Sequence, residues 1–143
     1  MFLTQQELST VSTDQIINAI VNRDTQIVED IIGESIDVMS TYLHQYFDTN
    51  AIFQATGDQR SKTILKHLKA IVKHELYSRR SSTMNEVVKD AHAEAMTWLE
   101  KVSKGEIKPA LPPRIVDTDD DGIPDSEVPF LKLGSRRPYE NRF

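Results

Sequence analysis

The chain has 143 residues, a net charge of −5 and a sequence pI near 5.3; its length suits one domain with an appendage, and its acidity excludes a general nucleic-acid binder. It contains no cysteine, which excludes thiol catalysis and disulfide bonds. Because the N-terminus lacks a basic segment and no apolar run approaches the roughly 20 residues that span a bilayer, we expect no signal peptide and no membrane contact.

The N-terminal residues predict one or two short helices. Thr4-Gln5-Gln6-Glu7 is a capping-box sequence and opens the first. Ser12 or Thr13 can cap a second helix, and Asp24 is a good N-cap for the helix that follows. The apolar face of the second predicted helix carries Ile16, Ile17, Ile20 and Val21.

Three long helices are predicted next. The first, over residues 27–47, keeps apolar residues at spacings of three and four for more than five turns, and Gly33 inside it costs stability unless a neighbour packs closely there. Residues 51–57 form a connection with Ile52 and Phe53 directed inward. The second long helix covers about 61–77. The third starts at a capping box of Thr83 and Glu86 and ends before Gly105, a natural helix stop.

From residue 106 onward the chain predicts an extended arm. All six prolines lie there, and proline is incompatible with a helix interior. We expect Ile107 and Leu111 to lie along the helical body. The apolar residues near the end favour an adhesive arm, with a disordered tail as the alternative. The predicted fold is therefore all-α: a small helical bundle of three long helices plus one or two short N-terminal helices (residues 1–105), followed by an extended C-terminal arm (106–143).

An acidic segment of the arm, residues 117–125, resembles the calcium loops of thrombospondin type 3 repeats and dockerins. Oxygen ligands recur at loop positions 1, 3, 5, 7 and 9, and Gly122 permits the sharp turn. Val128 stands where an EF-hand has its bidentate glutamate, and Pro124 argues against a departing helix. A structural calcium site and an acidic surface turn both remain open. The candidate ligands are Asp117, Asp119, Asp121, Asp125 and the backbone carbonyl of Ile123.

The remaining residues do not form a catalytic motif. The sequence has no glycine-rich phosphate loop, nucleophile elbow or His-Glu-x-x-His motif. We expect the four histidines, His44, His67, His74 and His92, to be surface or boundary residues rather than ligands. A small enzyme or a DNA-binding regulator would need residues that are missing, so we expect no enzyme.

Charge is segregated along the chain. Residues 1–50 carry a net −7, residues 51–80 a net +5 and residues 81–143 a net −3. Complementary surfaces of this kind can steer copies of one chain together, although ordinary solvated helix faces give the same pattern. The lysine row and Arg79-Arg80 predict at most a passing contact with genomic DNA.

Three signatures follow one another along the predicted helices: Tyr42-Leu43-His44-Gln45-Tyr46, then Leu76-Tyr77-Ser78-Arg79-Arg80, and finally Trp98-Leu99 before Gly105. Their order resembles the tailed-phage head–tail connector proteins, also called adaptor or head-completion proteins, of the Mu-like branch. The resemblance covers about residues 1–108, and the tail with the aspartate loop departs from it.

This resemblance implies a structural virion protein. Such proteins form a ring, usually of twelve copies, that binds the portal protein, retains packaged DNA and receives the tail or stopper protein. It implies a place in the virion neck, with assembly in the host cytoplasm. The alternative function is a calcium-binding helical interaction module without catalysis.

Overall fold

The computed structural model describes residues 1–22, 24–79, 84–116 and 126–127 of the chain. Within them a 3-10 helix precedes five α-helices, a second 3-10 helix lies between α3 and α4, and two short strands end the described part. The elements in order are the first 3-10 helix (Gln5–Thr10), α1 (Asp14–Val21), α2 (Thr25–Leu43), α3 (Thr49–Gln54), the second 3-10 helix (Gly57–Gln59), α4 (Lys62–Ser78), α5 (Glu86–Ser103), β1 (Ile115–Val116) and β2 (Ser126–Glu127).

The long helices α2, α4 and α5 pack against one another, and α1 packs against α2 and α4. The predicted all-α bundle is therefore confirmed. Its core collects the apolar stripes of all three long helices, including Ile32, Met39, Leu68, Val72 and Leu99.

Local capping sets most helix starts. Asp24 accepts a hydrogen bond from the Gln26 amide at 3.0 Å, and Ser61 accepts one from the Ile64 amide at 3.4 Å. These side chains satisfy amides that have no partner within the helix. The Asp24 cap and the start of α4 near residue 61 were predicted from sequence, whereas the face predicted for α1 holds only in part because Ile17 and Val21 are buried and Ile16 is 40 % exposed.

Two helix boundaries differ from the prediction. Helix α2 ends at Leu43 rather than at residue 47, and Asp48 then caps a short helix, α3, in the segment predicted to be a connection. Ile52 and Phe53 do pack inward, as predicted. The apolar spacing continued past Leu43 because Phe47 is also buried, although it is no longer helical.

The predicted capping box at the start of α5 is wrong. Asn85, not Thr83, is the N-cap, and its side-chain oxygen accepts a hydrogen bond from the Val87 amide at 3.0 Å. Glu86 is consequently the first helical residue and not the third. Thr83 itself lies outside the described residues.

Phe2 and Leu3, close to the N-terminus, contribute to the core, although this was not predicted from the sequence. Phe2 and Leu3 are fully buried with Leu8, and the Phe2 ring meets Phe53 edge-on at a centroid distance of 5.2 Å. Leu3 and Leu8 flank the capping box at the positions of a hydrophobic staple. That staple pattern was the available signal for their burial.

Arg60 fastens this N-terminal segment to the body. Its guanidinium donates to the Phe2 carbonyl at 2.7 Å and to both carboxylate oxygens of Glu7, at 2.7 and 3.0 Å. Glu7 in turn accepts a hydrogen bond from the Thr4 amide, as a capping box requires. The hydrogen bonds from Arg60 lower the pKa of Glu7 from 4.5 to about 2.

Helix α5 is followed by a glycine that ends it. Gly105 has φ of +76°, and the amide of Glu106 donates to the Lys101 carbonyl at 2.8 Å while that of Gly105 donates to Val102 at 3.0 Å. This pair of bonds is a Schellman motif, in which glycine tolerates the left-handed backbone. The stop predicted at Gly105 is confirmed, and the chain leaves α5 in a defined direction.

Candidate functional site

The predicted metal loop lies outside the described residues. Asp117, Asp119, Asp121, Ile123 and Asp125 all belong to the segment between β1 and β2. The two strands pair in antiparallel register, Ile115 with Glu127 and Val116 with Ser126. The residues that flank the acidic segment are therefore side by side, and calcium binding by the segment stays a prediction.

The root of the C-terminal arm, residues 106–116, is attached to the junction between α2 and α3. The Asp48 amide donates to the Pro112 carbonyl at 3.0 Å, and the Arg114 amide donates to the Tyr46 carbonyl at 2.9 Å. Phe47 and Pro113 form an isolated antiparallel bridge. Because backbone hydrogen bonds join segments more than 60 residues apart, the start of the arm has a specific place on the body.

Apolar side chains strengthen the same attachment. Ile107 and Leu111 are half-buried and pack against the hydrophobic core, as predicted. The Arg114 guanidinium donates to the His44 carbonyl at 3.2 Å, close to the C-terminus of α2. This cation lies where the carbonyl ends of a helix favour positive charge.

An open cleft of about 580 Å³ lies beside the arm root. Its polar lining is already used by the fold, since Asp48 caps α3 and Arg114 holds the end of α2. Ile115, on its rim, is 55 % exposed. Among the described residues that line the cleft, no nucleophile is hydrogen-bonded to a base.

A smaller groove of about 240 Å³ runs between α4 and α5. Its floor is apolar, and Val87 at its edge is 67 % exposed. Lys66 and Glu94 frame the groove with an ion pair of 2.7 Å. An apolar strip with a charged rim is typical of a surface that receives a partner.

The predicted basic surface is mostly used inside the subunit. Lys69 donates to the Thr10 hydroxyl at 3.0 Å, Lys73 donates to the Val11 carbonyl, and Lys66 is paired with Glu94. Lys69 and Lys73 connect α4 to the N-terminal segment, and Lys66 connects α4 to α5. These three lysines are therefore not a free phosphate-binding surface. By contrast, the acidic residues Glu29, Asp30, Glu34 and Asp37 on α2 are exposed.

His67 was predicted to lie at the surface or boundary, and this prediction is wrong. Its side chain is 5 % exposed and stacks on Trp98 with ring centroids 4.6 Å apart. Burial lowers the pKa of His67, helped by the positive charge of Lys66. Trp98, which the sequence placed in the core, is half-buried and packs against it.

His92 is half-buried, as expected for a boundary residue, but it lies in contact with a second histidine. Its ring stacks on that of His74 from α4, with centroids 3.9 Å apart and planes 18° apart. Burial and the neighbouring His74 lower the pKa of His92. Glu75 completes the group, with Oε1 3.2 Å from His74 Nδ1. The sequence did not predict this cluster because its members lie on two different helices. No local sequence pattern encodes how these two helices align.

The sequence model of the family described as Bacteriophage Mu, Gp36 matches residues 2–123 of this chain. The chain belongs to this family. No curated protein and no solved structure is significantly similar to it. The expectation of a Mu-like phage protein is confirmed, and membership favours a location in the virion or in the host cytoplasm during assembly.

The Gp36 match spans more of the chain than the resemblance suggested. It includes the helical body, the arm root and β1, and it extends to residue 123 rather than 108. Three of the candidate aspartate ligands of the acidic segment, Asp117, Asp119 and Asp121, therefore lie within the matched part of the chain. Among the described residues, no helix combines the length and apolarity needed to cross a membrane.

Proposed function

We propose that this Gp36-family protein is a head–tail connector subunit, which forms a ring between the portal and the tail of a tailed phage, completes the head and helps to retain the packaged DNA. The observation that carries the proposal is the match of residues 2–123 to the Mu Gp36 family. The ring is expected to hold twelve copies, to bind the portal protein on one side and to receive a tail or stopper protein on the other.

The attachment of the arm supports this role. The arm leaves the body at a defined place, where Pro112 and Arg114 are hydrogen-bonded to the α2–α3 junction. The 27 residues that follow residue 116 span up to about 90 Å when extended. An arm with a fixed origin and this reach can contact an adjacent subunit or a different protein of the neck.

The groove between α4 and α5 is the surface that we expect to receive a neighbour's arm. It combines an apolar floor with the exposed Val87 and has a charged rim. The arm supplies matching apolar residues in Phe130, Leu131 and Leu133. Burying such residues in a neighbour's groove would link subunits around the ring through the hydrophobic effect.

A non-catalytic role is consistent with the surfaces. In the described part of the chain, Asp48 and Arg114 of the cleft cap a helix or hold a backbone carbonyl, and Lys66 and Glu94 of the groove form an ion pair. The lysines that would have met DNA are held by Thr10, Val11 and Glu94. We therefore expect any contact with genomic DNA to be passing rather than a sequence-specific interaction.

Electron microscopy of the chain mixed with the portal protein encoded by the same genome tests the proposal. We expect an added ring on the portal with full-length protein. Deletion of residues 117–143 should abolish the ring while leaving a folded body, because the arm root is retained. A chain that stays a free monomer beside an intact portal would refute the connector function.

Val87→Asp tests the groove separately. A charge at this exposed position should prevent ring formation without unfolding the subunit. Val38→Asp is the matched control, since Val38 is also exposed but lies on α2. If Val87→Asp forms rings as well as Val38→Asp does, the groove is excluded as the receiving surface, while the connector function is unaffected.

The second candidate function is a calcium-binding helical interaction module. The antiparallel pairing of β1 with β2 favours it, because this pairing brings together the ends of the acidic segment. Calorimetry should detect calcium binding in the full chain that is lost in Asp119→Ala with Asp121→Ala. Asp30→Ala with Asp37→Ala, which removes two exposed acids of α2, is the control. Absence of heat at millimolar calcium, both free and in the assembled ring, would exclude it.

A further inference from the structure

The histidine–glutamate cluster, His74, Glu75 and His92, connects α4 to α5. His74 and Glu75 lie near the end of α4, and His92 lies in the second turn of α5. One ligand atom from each residue can be chosen so that all of them lie within 4.8 Å of one another. The two imidazoles are half-buried, whereas Glu75 is exposed and free to reorient.

The donor atoms match a particular class of ion. Two imidazole nitrogens and a carboxylate oxygen suit zinc and neighbouring transition-metal ions, whereas calcium and magnesium prefer oxygen ligands alone. Ligand atoms on a tetrahedral zinc ion are about 3.4 Å apart, given zinc–ligand distances of about 2.0–2.1 Å. The ligand atoms of the cluster lie within 4.8 Å of one another. They must therefore move closer, and the two nearly parallel rings must rotate about their side-chain bonds, for both lone pairs to point at one ion.

We propose that His74, Glu75 and His92 form a zinc-type metal site that joins α4 to α5. A fourth coordination position stays open to water or to a group from a partner, as in other three-ligand zinc sites. The ion would fasten the two helices beside the groove that carries Val87. This site is separate from the acidic segment of the arm, and it does not depend on the connector function.

Titration of the untagged full-length protein with zinc chloride in a calorimeter tests the proposal. We expect one zinc ion per chain and at least about a 100-fold loss of affinity in His74→Gln and in His92→Gln, because each removes one of three ligands. His44→Gln is the matched control, since His44 is exposed at the C-terminus of α2, where its Nδ1 lies 2.9 Å from the Thr41 carbonyl oxygen. Absence of heat up to millimolar zinc would overturn the proposal.

A second control separates this site from the acidic segment. Asp119→Ala with Asp121→Ala should keep the zinc affinity of the unmodified chain, and excess calcium should not displace the zinc. Zinc binding that disappears in this double variant but persists in His92→Gln would move the site to the arm and overturn the assignment.

Thermal and chemical unfolding give a readout that is independent of calorimetric heat. Free zinc at 100 times its Kd should lower the equilibrium constant for unfolding about 100-fold, since the ion binds the folded chain. The double variant His74→Gln with His92→Gln should show no such change, and circular dichroism of each variant without metal checks that it is folded. Equal zinc stabilisation of the double variant and the unmodified chain would contradict the site, whatever its cause.

Discussion

At the scale of single residues, the ion pair between Glu7 and Arg60 shows how one side chain secures a whole segment. The carboxylate caps the first helix and accepts two hydrogen bonds from the guanidinium, which also holds the Phe2 carbonyl. Bidentate pairs of this kind are among the stronger charged contacts in proteins. These contacts hold the N-terminal segment in the position in which Phe2 and Leu3 are buried.

The lowered pKa of Glu7 predicts a specific dependence of stability on pH. The pKa falls from 4.5 to about 2 on folding, so the pair contributes fully above pH 4.5, and its contribution is lost as pH falls from 4.5 to 2. Glu7→Gln should therefore lower the free energy of unfolding most at neutral pH, and the difference from the unmodified chain should shrink below pH 4.5.

Urea unfolding at a series of pH values measures this effect. Glu100→Gln is the control, because its ion pair with Lys104 is exposed and 4.0 Å long, and such pairs contribute little. A stability difference for Glu7→Gln that is constant from pH 7 to pH 2 would contradict the assigned cause.

Gly33 is the second residue with a direct prediction. It lies inside α2, and a Cβ built there meets nothing within 4 Å. No residue of the described part of the chain is therefore close enough to require a glycine here. Gly33→Ala should stabilise the isolated chain by about 0.8–1.0 kcal/mol, because alanine is the better helix former, as measured by urea unfolding.

Either departure from this result is informative. A loss of stability in Gly33→Ala would show that the helix surface is more crowded than the structure indicates. If the variant is more stable as a monomer but fails to assemble on the portal, Gly33 lies where another chain approaches α2 closely.

At the scale of elements, the helix termini are set by short-range chemistry, and α5 shows how this chemistry can be misassigned. Thr83 and Glu86 satisfy the capping-box spacing, but Asn85 is a stronger N-cap type and lies closer to the first buried residue, Val88. The competing signals are only two residues apart. Packing of Val88 against the bundle decides between them.

Asn85→Ala should destabilise the protein by about 1 kcal/mol, because the Val87 amide loses its acceptor. Asn85→Asp keeps an acceptor at the helix N-terminus and should be close to neutral. Urea denaturation of both variants measures the difference. Equal stability of Asn85→Ala and the unmodified chain would show that this amide finds another partner.

At the scale of the whole molecule, the arm root makes the C-terminal segment part of the folded body. Ile107 and Leu111 pack on the core, and residues 112–114 hydrogen-bond to the α2–α3 junction. The boundary predicted at residue 105 marks the end of the last helix of the bundle. The structural attachment continues about ten residues further along the chain.

Two truncations test this attachment. A chain ending at residue 116 should keep nearly the full free energy of unfolding, whereas one ending at residue 105 should lose about 2 kcal/mol, since two half-buried aliphatic side chains and several hydrogen bonds disappear. Denaturant unfolding of the two chains makes the comparison. Equal stability would mean that the root contributes nothing to the body, and the arm would then have no fixed origin.

Much of the fold was predictable because helix formation depends on local pattern. The apolar spacing over α2, the caps Asp24 and Ser61, and the stop at Gly105 all act within a few residues of the backbone groups they affect. The end of α2 was missed because Phe47 continues the apolar spacing without continuing the helix. The spacing of apolar residues predicts which side chains are buried, and it predicts a helix only where the backbone can continue one.

The candidate sites were less predictable for the same physical reason. The acidic segment could be recognised from sequence since its ligands follow one another, and it remains a prediction. The cluster of His74 and His92 depends on how α4 and α5 align, and the lysines found partners on distant segments. Contacts between residues far apart in sequence are decided by packing.

By itself, the sequence determined the all-α class, the positions of the long helices and the resemblance to Mu-like phage proteins, because periodicity, capping and turn residues are local. The tertiary structure decided the burial of Phe2 and Leu3 and the stacking of His74 on His92. It also decided the hydrogen bonds of the α4 lysines to the N-terminal segment and the attachment of the arm root to the α2–α3 junction. These features join segments that come into contact only when the bundle folds, and all of these contacts contribute to the free energy of folding.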